Sequence, residues 1–147
     1  MPLGAGKTRS VCLSALAGVI LLMSGCSGAS VGSDDILPRL AGKVWVAEYI
    51  LGDPVMDMGH SSMVFSGAGT VSGLGGCNHY SGSFTLEGDM ISFGPMAATM
   101  MSCSPPLDDL EMRFFQSLSH PLKVKIENGL LNFIADDGRV SVFAAQP

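Results

Sequence analysis

The chain has 147 residues and a net charge of −5, with 47% apolar and 14% charged side chains. That length suits one domain with a modest core. An acidic chain without a basic cluster excludes nucleic acid as a partner and argues against electrostatic docking on anionic lipid.

The first element in chain order is an address. Lys7 and Arg9, the apolar run from Val11 to Met23 and the ending Leu22-Met23-Ser24-Gly25-Cys26 have the form of an export leader with a lipobox. The run is short for a mature membrane span, which takes about 20 residues. Cleavage before Cys26 is therefore expected, and the site resembles that of bacterial lipoproteins, in which the cysteine carries palmitate-like acyl chains. Each buried methylene adds about 0.8 kcal/mol, so several chains anchor stably. Residues 1–25 are thus expected as a lipoprotein signal peptide, residues 26–37 as a flexible Ser, Gly and Asp rich tether, and residues 38–147 as the domain. By resemblance to enteric sorting, an Asp after the lipid cysteine would imply inner-membrane retention; Ser27 stands there instead, so the outer membrane, facing the periplasm, is expected. Gly4-Ala5-Gly6-Lys7-Thr8 imitates a phosphate loop, but Met1 stands where its first glycine is required.

The domain reads mainly as strands. Val44 to Ile50 carries Trp45, Tyr49 and β-branched residues between Gly42 and Gly52-Asp53-Pro54. Met63-Val64-Phe65 and Thr70-Val71 flank the turn Ser66 to Gly69. Ser83 to Leu86 and Met90 to Phe93 form a hairpin around Glu87-Gly88-Asp89. From Ser104 to Ser119 the period changes: Leu107, Leu110, Phe114 and Leu118 fall at helical spacing, with Asp108, Asp109 and Glu111 near the positive end of the helix dipole. Ser104 is placed to cap this helix and Pro105 suits its first position. Val124 and Ile126, then Asn128-Gly129, then Leu131 and Phe133, then Asp136-Asp137-Gly138 and Val140 to Phe143 give a three-stranded meander.

With Cys12 in the leader and Cys26 lipidated, Cys77 and Cys103 remain, and an even pair in an exported domain reads as a disulfide. Zinc on Cys77, His79, Cys103 and His120 is the competing reading, although these residues lack the short paired spacing that pre-forms half a site. Three further patterns carry a chemical alternative. Gly59-His60-Ser61-Ser62-Met63 misses the last glycine of a nucleophile elbow, and Gly73-Leu74-Gly75-Gly76 has no helix after it. Met56, Met58, His60 and Met63 offer soft ligands suited to Cu(I), against an apolar filling role for methionine.

Gly76-Cys77-Asn78, Tyr80, Gly82-Ser83-Phe84, the run Ile91 to Thr99 with Gly94, and Met101-Ser102-Cys103 together resemble the META domain, the HslJ-like family. Glu111, Phe114-Phe115 and Leu118 resemble the helix that follows that motif, and Trp45 its first-strand tryptophan. The resemblance implies an α+β fold, a strongly curved antiparallel sheet or partial barrel packed on one amphipathic helix. It also implies an association with heat shock and stress response, and it carries no catalytic residues and no cofactor. The expected function is a non-catalytic envelope lipoprotein, held to the membrane through Cys26, that binds an unknown protein or apolar ligand. The alternatives are the Cu(I) loop and a pilotin-like lipid module with a groove beside Phe84, Phe93, Phe133 and Phe143.

Overall fold

The computed structural model describes residues 33–147. The leader, Cys26 and most of the expected tether lie outside the described residues. In chain order the elements are α1 (Ser33–Leu40), β1 (Val44–Ile50), β2 (Asp53–Pro54), β3 (Ser62–Phe65), β4 (Thr70–Leu74), β5 (His79–Glu87), β6 (Met90–Ala98), α2 (Pro105–Ser117), β7 (Leu122–Glu127), β8 (Leu130–Ile134) and β9 (Val140–Gln146).

Every neighbouring strand pair is antiparallel, in the order β2-β1-β3-β4-β5-β6-β7-β8-β9, and β1 also pairs with β9. Val44 meets Gln146 and Tyr49 meets Val142, so the curved sheet closes on itself into a ring. The expected α+β fold with a strongly curved sheet is what the chain forms. The hairpin chemistry explains much of it: Asn128 (φ 52) and Gly129 (φ 78) both occupy the left-handed region that a two-residue β-turn of this hand requires. The sheet extends its strands beyond their sequence signals, because pairing satisfies backbone groups whatever the side chains. Thus β5 begins at His79 and β6 runs to Ala98, around a register shift between Gly82 and Phe84.

The two helices close opposite ends of the ring. At one end, α1 replaces the last part of the expected tether. Ile36 and Leu40, one helical turn apart, are buried in the core, Trp45 Nε1 donates to the Leu40 carbonyl at 3.0 Å, and Arg39 donates to the Ile126 carbonyl. Two apolar anchors outweigh a polar composition, so Ser33 to Leu37 is folded rather than linker. At the other end, α2 packs Leu110 and Phe114 inward, as its spacing predicts. Ser104 occupies the N-cap position but makes no side-chain cap; its carbonyl accepts from Leu107 and Asp108 N–H instead.

A file of aromatic rings fills the space between. Phe84 touches Phe65 (5.1 Å between centroids), Phe65 touches Phe93 (6.4 Å), and Phe93 touches Phe133 (5.8 Å). Phe133 then meets Phe143 (5.5 Å), Phe143 meets Phe114 (6.5 Å), and Phe114 meets Tyr80 (5.4 Å). Four of these six pairs are edge-to-face, an arrangement that adds to the area they bury. Tyr80 O–H donates to the Ser62 carbonyl at 3.0 Å, and burial pushes its phenol well above the ordinary range. Of the four rings expected beside an acyl groove, Phe84, Phe133 and Phe143 are buried in the core, whereas Phe93 is half-buried and reaches the surface. Phe143→Ala should destabilise the fold by about 3–5 kcal/mol, read from the midpoint of urea unfolding.

Candidate functional site

Gly76-Cys77-Asn78 forms the turn from β4 to β5, pressed against α2. Gly76 has no room for a side chain, since a Cβ there would lie 2.9 Å from the Glu111 nitrogen and 3.0 Å from the Leu107 carbonyl oxygen. That close approach lets one helical carboxylate serve the whole turn. Glu111 Oε2 accepts from the N–H groups of Cys77 (3.1 Å) and Asn78 (2.6 Å), and Oε1 accepts from Asn78 Nδ2 (2.9 Å). Asn78 is itself 5% exposed, and its Oδ1 accepts from Met101 N–H (2.7 Å) and Thr99 Oγ1 (3.0 Å). Thr99 Oγ1 accepts in turn from His79 N–H at 3.2 Å. The Cys77–Cys103 disulfide, with its Cα atoms 6.3 Å apart, ties the turn to the segment that leads into α2.

Each residue of the sequence motif thus acts on the fold. Gly82 faces the Met96 sulfur and the Pro95 carbonyl across the β5–β6 bulge, and Gly94 leaves room for Ser83 Oγ. The role of Glu111 was not legible in advance. Its acidic character near the helix start suggests a dipole partner, whereas it bonds a turn 33 residues earlier. The signal that could have found it is the pair of glycines at 75 and 76, which permits the helix to approach.

The metal readings fare differently. His79 and His120 do not join the cysteines; the ligand-bearing group there is Cys77, Cys103 and Asp108, and the two sulfurs are bonded to each other. The Cu(I) set is divided, because Met63 is fully buried in the core while Met58 is 91% exposed and His60 is exposed. Strand alternation turns Met63 inward. Met56 and Met58 instead line a hollow beside the start of α2 with Ser104, Pro106 and Leu107.

A concavity lies between β6 and α2. Its volume is about 530 Å³, and it is lined by Phe93, Pro95, Met96, Ala98, Phe115 and Leu118, with Gly94 and Ser119. No ionisable side chain lines it. Phe93 forms its floor and also touches Phe65 and Phe133, so the cleft sits directly on the aromatic core.

The sequence pattern of the META domain matches residues 38–147. The chain belongs to the META domain family. Two solved structures share the fold of this META domain. One is an NMR structure with 23% identity and a TM-score of 0.60, covering 73% of this chain and 92% of its own. The other, an NMR structure of a protein from Burkholderia xenovorans, has 20% identity and a TM-score of 0.61, covering 95% of this chain and 99% of its own. No curated protein matches. Among the described residues of the META domain, no helix is long and apolar enough to cross a membrane.

Two outcomes test the clasp. Burial acts to raise the Glu111 pKa, but the hydrogen bonds from Asn78 main chain, Asn78 side chain and Cys77 main chain prevail and hold it below the ordinary carboxylate value. Its stabilisation is then complete above the unfolded value near pH 4.5 and is lost as pH falls through the lower folded value. Glu111→Gln should cost about 1–2 kcal/mol at pH 7, and its deficit against wild type should shrink as urea titrations move from pH 5 toward pH 3. Replacing both Cys77 and Cys103 by Ser should cost about 3.5 kcal/mol for a loop of this length in the chain-entropy account. Thiol alkylation and mass measurement of the unreduced wild type should find neither cysteine modified.

Proposed function

We propose that this META domain protein is a non-catalytic lipoprotein of the bacterial envelope, anchored through acyl chains on Cys26, that acts by binding a partner protein. The observation that carries the binding reading is the cleft between β6 and α2. Its lining carries no acid or base, and apart from Ser119 its side chains are apolar, so what it offers an occupant is burial and shape rather than bond chemistry. Glu111, held toward its charged form, is engaged by the turn from β4 to β5 through three hydrogen bonds. The anchor reading rests on Leu22 to Cys26, and the outer membrane on the absence of an Asp at position 27, by resemblance to enteric sorting. A membrane tether raises the effective concentration of a weak binder toward partners in the same layer, which suits a small, uncharged cleft.

Metabolic labelling with an alkynyl palmitate should mark the full chain, and Cys26→Ser should abolish the label. A photoreactive residue at Ala98 or Ser119 in the full chain, expressed in its native host, should yield discrete protein crosslinks that the same residue at Lys125 does not. Absence of label overturns the anchor. Crosslinks identical at Lys125 and at the cleft overturn the binding site.

A further inference from the structure

We propose that the cleft takes an extended segment of a partner protein, which adds to the ring as a new strand on the free edge of β6. The proposal rests on the binding reading above and specifies the form of its occupant. β6 has nine residues, yet β7 pairs with Met90 and Ile91 alone. Beyond Ile91 the two strands part and α2 stands across from β6, so the ring is closed there by a cleft instead of a ladder.

The direction of the main chain along this edge follows from the bonds at its two ends. The Asp89 carbonyl accepts from Val124 N–H, which points Asp89 toward β7; alternation then puts Ile91 and Phe93 on the same side. At the other end Thr99 N–H donates to the His79 carbonyl, so Ala97 turns toward β5 while Met96 and Ala98 turn away from it. The extra residue of the bulge lies between these two runs and includes Pro95, which has no N–H to lose. Phe93, Met96 and Ala98 therefore turn their N–H and C=O groups to the side away from β5, where the β7 ladder has ended at Ile91.

Those outward groups discriminate between occupants. An acyl chain can fill the apolar walls but supplies no donors. A helix has its own main chain already satisfied. An extended segment does both: its main chain pairs with the edge, while alternate side chains seat between Met96 and Phe93 on one side and Phe115 and Leu118 on the other. From Phe93 to Ala98 the edge is about 20 Å long, enough for five or six residues of partner. Pro95 at the bulge also guards the edge against pairing with a second copy of the chain over its full length.

The test uses the chain from residue 26 onward, with Cys26→Ser for solubility, and a displayed library of random peptides about ten residues long. A selected peptide is remade with a single N-methyl group at each position in turn. Strand addition requires that alternate positions lose roughly five- to tenfold in affinity while the intervening ones do not, each loss being one main-chain hydrogen bond. Bound peptide should slow hydrogen exchange at the amides of Met96 and Ala98. Ala98→Pro removes one outward N–H and should weaken binding by a similar factor with the melting temperature nearly unchanged; if that variant unfolds, the N-methyl series on the unsubstituted chain decides alone. Affinity indifferent to N-methylation, protection confined to residues outside β6, or a library that yields no binder overturns the strand. Photocrosslinks from Ala98 in cells, set beside any of those results, leave the binding reading standing and remove only its extended form.

Discussion

The carboxylate of Glu111 is the contact on which the arrangement of this domain depends. It satisfies two N–H groups and one side-chain amide in a turn that belongs to the sheet, from a position two turns into a helix that belongs to the lid of the ring. Buried main-chain N–H groups without acceptors are costly, and a turn pressed against a helix has no water to serve them. The same acceptor therefore both completes β4–β5 and fixes where α2 lies. Asn78 relays the restraint to Thr99 and Met101, and the disulfide repeats it covalently one residue away. Gly75 and Gly76 are the condition for all of this, because any side chain there would hold the helix off.

With α2 placed, the rest of the interior follows. Phe114 reaches Phe143 and Tyr80, and through them the file of rings that ends at Phe84 beside α1. Phe65, Phe114, Phe133 and Phe143 are all fully buried within the ring. The placing of α2 also shapes the surface: β7 pairs with β6 only at Met90 and Ile91, and a cleft lies between the rest of β6 and the helix. The clasp that stabilises the fold and the cleft that opens beside Phe93 are thus two results of one packing decision.

Much of this fold was legible in residues alone. The alternation of Val124, Ile126, Leu131 and Phe133, with Asn128-Gly129 between, specifies a hairpin that tertiary context does not need to correct. Leu107, Leu110, Phe114 and Leu118 specify a helix and its inward face. The META pattern brought the cysteine pair and the glycines of the turn into one constellation. Other readings failed for identifiable reasons. Ser33 to Leu37 looks like linker because its composition is polar, and composition does not show that Ile36 and Leu40 share a face with something to cover. The four soft ligands from Met56 to Met63 look like one loop, but β3 begins inside that span and alternation sends Met63 into the core.

What the sequence determined by itself is therefore local: where the backbone alternates, where it coils and where it must turn. These follow from periodicity and from the conformational demands of single residues, which act over a few positions. Tertiary structure decided the closure of β1 on β9, the partner of Glu111, and the break between β6 and β7. Each of these depends on which distant surfaces come to rest against one another, and that outcome is set by the joint packing of the ring and α2 rather than by any segment alone. The apolar cleft belongs to this second group, since its walls come from a strand edge and a helix face that acquire their meaning only when placed side by side.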